Sequence, residues 1–242
     1  PHVTELLYAA GAGDKVVGVV QYSDYPEAAK KVARVGGYTS VDMEKVVALK
    51  PDLVVAWKSG NRDAHLDKLR GLGIPVFINE PRKIEDVARS LSQLGRLAGT
   101  EAVAEGAAKA FRERHAALQA RYSTRPKVRT FYEIWNRPLM TINGEHLIAD
   151  VMRLCGGENV FGNLDALAPV VTVEAVVAAN PEAIVASGMG EARPEWLDDW
   201  KRWPAISAVA RNNLFFVPPE LIQRHTPRLL DGAEHLCRHL ET

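Results

Sequence analysis

The residues best suited to chemistry in this chain are two glutamates, two cysteines, a spaced pair of histidines and a scattered set of aromatics. Glu44 and Glu174 hold the same place in two copies of one pattern, DMEKVVALKPDLVVA at 42–56 and TVEAVVAANPEAIVA at 172–186. Each stands two residues after a possible N-cap, Asp42 or Thr172, and each is followed by a proline, Pro51 or Pro181, and then an apolar run. Two roles are open to them. An acid in a helix's first turn favours the helix dipole by about 0.3–1 kcal/mol. Two exposed carboxylates, one per half, can instead grip arginines on a two-fold symmetric partner. Cys155 and Cys237 read either as buried free thiols or as a disulfide, and a disulfide requires an oxidising compartment. His235 and His239 are four apart, a helical spacing that can hold a metal, but no acidic third ligand lies near and an exposed helix face is the plainer reading. The chain has no G-x-S-x-G, P-loop or H-E-x-x-H segment, and the Gly-Gly pairs at 36–37 and 156–157 read as turns. No catalytic or metal site is expected.

The elements that must position these groups alternate. Short β-branched runs at 16–20, 53–57, 74–78, 128–134, 183–187 and 213–218 read as strands. Helical stretches are expected near 3–10, 43–50, 61–71, 83–98, 146–155, 172–179, 194–202 and 226–240. Strand and helix in alternation imply parallel sheets with crossover helices. Residues 101–122 are Ala-rich strong helix formers and read as one rigid helix of about 33 Å at ~1.5 Å per residue. The sequence thus predicts an α/β protein of two parallel-sheet lobes: 1–99, a connecting helix at 100–124, and 125–242. Acidic and basic residues balance at 30 each and no basic cluster is interleaved with aromatics, which argues against nucleic acid. No apolar run reaches 18 residues, so no membrane span is expected, and no signal-peptide pattern is visible.

Open α/β sheets bind ligands just past the carboxyl ends of their strands. Tyr22 and Trp135 each follow a predicted strand, as does the segment PPELIQRHTPR at 218–228; Trp57 closes the strand 53–57, and Tyr38 lies in the loop before the first glutamate pattern. Aromatic faces from both halves imply a large, partly flat ligand. Trp196, Trp200 and Trp203 read as packing anchors.

Taken together, YSDYP (22–26), VALKPDLVVAWKSGN (47–61), LCGGENVF (154–161), QRHTPR (223–228) and the LC pair at 236–237 resemble the periplasmic cobalamin (vitamin B12)-binding proteins, within the helical-backbone solute-binding family of ABC importers. The resemblance runs over nearly the whole chain. It implies two lobes on a helical backbone and a corrinoid held between them. The implied ligand contacts are Tyr22, Tyr38, Trp57, Trp135, Glu220, Leu221, Ile222, Gln223 and Arg224, with Arg224 as the charged contact. It implies that Glu44 and Glu174 dock on the arginines of a dimeric ABC-importer permease, that Cys155 and Cys237 are disulfide-bonded, and that a monomer works in the periplasm or tethered outside a membrane. Cobalamin would be cargo, not a cofactor.

The chain departs from the enteric members at two loops. Residues 162–170 read GNLDALAPV where those carry a tryptophan, and Glu220-Leu221-Ile222 stands where they have Asp-Trp-Phe. Both departures bear on ligand identity and orientation. Pro1 falls after the family's first strand, which implies an open sheet edge in the first lobe. A haem or siderophore carrier of the same fold is the alternative; Arg62, Arg137 and Arg224 are few for a strongly anionic ferric siderophore. A corrinoid-dependent enzyme would carry D-x-H-x-x-G, which this chain lacks.

Overall fold

A computed structural model describes residues 1–37, 40–188 and 192–241. The chain divides into two compact units. The first comprises Pro1–Pro81 with Glu85–Phe111, and the second Arg82–Ile84 with the chain from Arg112 onward.

The first unit contains α1 (His2–Ala9), α2 (Met43–Ala48), β1 (Val54–Ala56), α3 (Asp63–Gly71), β2 (Val76–Ile78), α4 (Ile84–Ala98) and the start of α5 (Glu101–Tyr122). β1 and β2 pair in parallel, Val54 opposite Val76. Val46 and Leu69 on α2 and α3 pack beneath them with Val35. Helices α4 and α5 approach closely at Gly95, where an added Cβ would stand 2.2 Å from Ala104 Cβ. The expected strand at 16–20 does not form a ladder. Only Val19 is bridged, to Arg34, through Val19 N–H to Ala33 O and Val35 N–H to Val19 O. Val17 and Val19 of the segment line a cavity of about 680 Å³ together with Val55 and Leu94.

The second unit holds a four-stranded parallel sheet in the order β6-β3-β7-β8: β3 (Val128–Glu133), β6 (Gly157–Asn159), β7 (Ala183–Ala186) and β8 (Leu214–Phe216). A small antiparallel pair, β4 (Trp135–Asn136) and β5 (Leu139–Met140), follows β3 and was not expected from sequence. The helices are α6 (Leu147–Leu154), α7 (Val173–Ala179), α8 (Ser207–Ala210), α9 (Pro219–Ile222) and α10 (Leu229–His239). Residues Glu195–Arg202, expected as a helix, wind as a 3₁₀ helix. Phe131, Ile184, Val176, Leu197, Trp200 and Leu214 form the core against one face. The later part of α5 belongs to this unit: Arg114 pairs with Asp231 on α10 at 2.6 Å, and Tyr122 is fully buried. Two α/β units with parallel sheets, and a long helix α5 whose residues are divided between them, match the fold class expected from sequence.

The Cys155–Cys237 disulfide forms, joining the C-cap of α6 to α10. It lies within the second unit.

Candidate functional site

In the first unit, Tyr22 and Trp57 both line the 680 Å³ cavity. Tyr22 is 73% exposed and sits at φ +64°, a left-handed conformation that costs a non-glycine residue about 1–2 kcal/mol. Its neighbour Ser23 is fully buried and accepts a hydrogen bond from Thr4 Oγ1 at 3.1 Å, anchoring the loop to α1. An exposed aromatic held in a disfavoured backbone conformation on an anchored loop is what a contact residue needs. Trp57 is fixed more firmly. Its backbone N–H donates to Asn61 Oδ1 at 2.8 Å, and its ring meets His2 edge-on at 5.1 Å. Gly60 lies beneath that ring, where an added Cβ would come within 2.0 Å of it, so the Gly-Asn turn allows the indole its place. Tyr38 lies outside the described residues.

In the second unit, Trp135 opens β4 immediately past the carboxyl end of β3, and its Nε1–H donates to Arg137 O at 2.9 Å. The distal segment is partly helical. Glu220, Leu221 and Ile222 lie on α9, and Gln223 caps it. Gln223 Nε2 donates to Ser187 Oγ, tying the segment to the carboxyl end of β7. Glu220, Leu221, Gln223 and Arg224 are half-buried. Ile222 is fully buried, so it anchors the segment and offers no surface. Gly232 on α10 permits that seat: an added Cβ would stand 3.0 Å from Leu221 O. His225, next in the chain, is 7% exposed, and burial with the nearby His146 pushes its pKa down to about 3.

Glu44 and Glu174 are both exposed in the first turns of α2 and α7. The two copies of the repeat cap alike. Asp42 Oδ1 accepts from Lys45 N–H at 3.1 Å, and Thr172 Oγ1 accepts from Ala175 N–H at 3.2 Å. His239 does not face a metal: its ring stacks on Phe215 at 4.6 Å and its Nε2 lies 3.2 Å from Phe216 O. Among the described residues no group of three or more His, Cys, Asp or Glu side chains is placed to hold a metal ion, and no helix is long and apolar enough to cross a membrane.

Sequence reasoning missed Glu133. It ends β3 inside the second unit, 2% exposed, and accepts a 2.6 Å hydrogen bond from Trp200 Nε1–H. Burial raises its pKa to about 8, the Asp199 charge adds to the rise, and the indole hydrogen bond opposes it. The available signal was an acid closing an otherwise apolar strand, FYEI at 131–134.

A periplasmic binding protein family model matches residues 1–221, and the chain belongs to that family. Within it, relatives of 30% identity or more are vitamin B12-binding proteins. A vitamin B12-binding protein of Vibrio parahaemolyticus is 37% identical over all of this chain and 87% of its own length. One of Yersinia pestis is 38% identical over 99% of this chain and 84% of its own. The crystal structure of the periplasmic vitamin B12 binding protein BtuF of Vibrio cholerae superposes with a TM-score of 0.92, at 33% identity, covering 100% of this chain and 94% of that one. A periplasmic heme-binding protein, BhuT, has a TM-score of 0.86 at 20% identity over 99% of this chain and 94% of that one, a likeness of fold alone.

Proposed function

We propose that this chain is a periplasmic solute-binding protein that captures cobalamin or a related corrinoid and delivers it to an ABC importer. It is a transport protein and makes or breaks no bond in its cargo. The observation that carries the reading is the match along the whole chain to a vitamin B12 binding protein, in sequence and in fold together. Three supports come from the structure: Tyr22 is exposed on an anchored loop, Trp57 is locked in place, and Trp135 stands at the carboxyl end of β3.

In this reading residues 1–99 and 125–242 are the two lobes and 100–124 the connecting helix. The ligand contacts are Tyr22, Tyr38, Trp57, Trp135, Glu220, Leu221, Gln223 and Arg224, with Ile222 holding its segment from the core. Glu44 and Glu174, one on each copy of the repeat, dock on a dimeric permease, and the carrier is a monomer. Equilibrium titration with cyanocobalamin tests the function. Saturable binding tighter than tens of micromolar is expected, and no binding in that range removes the proposal. Tighter binding of hemin than of cyanocobalamin would transfer it to the haem carriers of the same fold.

A further inference from the structure

Beside Glu133 lies a second cavity, of about 130 Å³, wholly within the second unit. It opens at the carboxyl end of β3, the end of a parallel sheet where ligands bind. Trp196, Trp200 and Trp203 form one wall, with Trp200 and Trp203 centroids 5.6 Å apart. From the 3₁₀ helix Asp199 and Arg202 reach its rim, paired to each other at 3.5 Å. From the turn between β4 and β5 comes the exposed Arg137 with its neighbour Asn136, and from α7 the apolar Val173. The buried carboxyl of Glu133 forms the polar end.

Arg202 is neutralised by Asp199 at the rim, and the buried acid and indole wall disfavour a charged group of either sign at the inner end. A group with one acceptor and two donors in a plane suits the place. We propose that this cavity receives a primary carboxamide arm of the corrinoid, with Glu133 as a specificity-determining contact. The acid's O–H donates to the amide oxygen, and its carbonyl oxygen accepts an amide N–H. Asn136 can supply either partner, and the indoles flank the plane. The volume suits a group of a few non-hydrogen atoms. Burial holds Glu133 protonated up to about pH 8, so the donor is present in neutral solution.

The inference rests on the corrinoid reading, and the experiment separates the two. Cyanocobalamin affinity is measured from pH 6 to pH 9.5 for the wild type, Glu133→Gln and Glu133→Ala. In the wild type, affinity is expected to be flat to pH 7 and about tenfold weaker at pH 9, as the acid ionises. Glu133→Gln should stay within about threefold of wild type at pH 7 and show no alkaline loss, because its amide keeps both a donor and an acceptor. Glu133→Ala should be about five- to tenfold weaker at every pH. An alkaline loss that persists in Glu133→Gln overturns the inference. So does a flat wild-type profile, which needs no variant to fold, or an affinity that rises with pH. A wild type that binds no cyanocobalamin at any pH overturns the corrinoid reading and this inference with it.

Discussion

Acidification should destabilise the second unit through one residue, His225. The ring is buried, its pKa is lowered to about 3 by that burial and by His146, and an unfolded histidine titrates near 6.5. Between those values the unfolded chain binds a proton that the folded chain refuses. The sign follows. The contribution of His225 to stability is full above pH 6.5 and is lost as the pH falls towards 3. At pH 4 the unfolded form is favoured through this group by about 3 kcal/mol, from the ratio of the two protonation factors. His225→Phe keeps a ring of similar shape against His146 and cannot take the proton. Urea unfolding at pH 7 and pH 4, followed by tryptophan fluorescence, gives the pH-induced stability loss for each protein. The wild type should lose roughly 3 kcal/mol more than His225→Phe over that interval. Comparing losses cancels whatever the substitution costs at pH 7. Equal losses in the two proteins would refute the reasoning and mean that His225 becomes protonated without leaving its pocket.

Breaking the disulfide with a Cys155→Ala, Cys237→Ala double variant should lower stability by about 4 kcal/mol on the chain-entropy model, because the bond closes a loop of 82 residues; denaturant unfolding checks it, with little change expected in cyanocobalamin affinity at temperatures where the fold persists. Tyr22→Gly and Tyr22→Ala should weaken cyanocobalamin binding equally, but the glycine variant should be more stable by about 1 kcal/mol, since only glycine accepts φ +64° without strain; matched melting curves would contradict this. Glu44→Gln combined with Glu174→Gln should leave ligand affinity unchanged and reduce carrier-dependent uptake in reconstituted importer vesicles several-fold; undiminished uptake would assign these acids to the helix dipole alone.

The repeat that was legible in the sequence is a physical one. Asp42 and Thr172 cap their helices through the same bond, Val46 and Val176 are both buried, and β1 and β7 follow the two prolines. Local signals sufficed there because capping and hydrophobic spacing act over a few residues. They failed where pairing depends on distant chain. The run at 16–20 is as β-branched as any strand in the protein, yet it has one partner segment and makes one bridge. The reverse holds for Gly157–Asn159, which carries no strand-forming residue and still pairs with β3, because Gly156 turns at φ +81° and delivers it to the sheet edge.

The proposed site divides along the same line. Tyr22, Trp57 and Trp135 could be found because aromatics after apolar runs mark strand ends, and strand ends mark ligand sites in parallel sheets. Glu133 obeys the same rule and was passed over, since the residue type argued for solvent. Its position overrides its type. β3 is an interior strand, flanked by β6 and β7. Trp200, read as a packing anchor, does pack on Phe131, with ring centroids 5.6 Å apart, and it also closes over the carboxyl and donates to it. Burying a carboxylic acid whose hydrogen bond among the described residues is the one from Trp200 costs stability that apolar Leu or Val at 133 would not. A residue retained against that cost, at the ligand end of the sheet, is better explained by what it binds than by what it holds together.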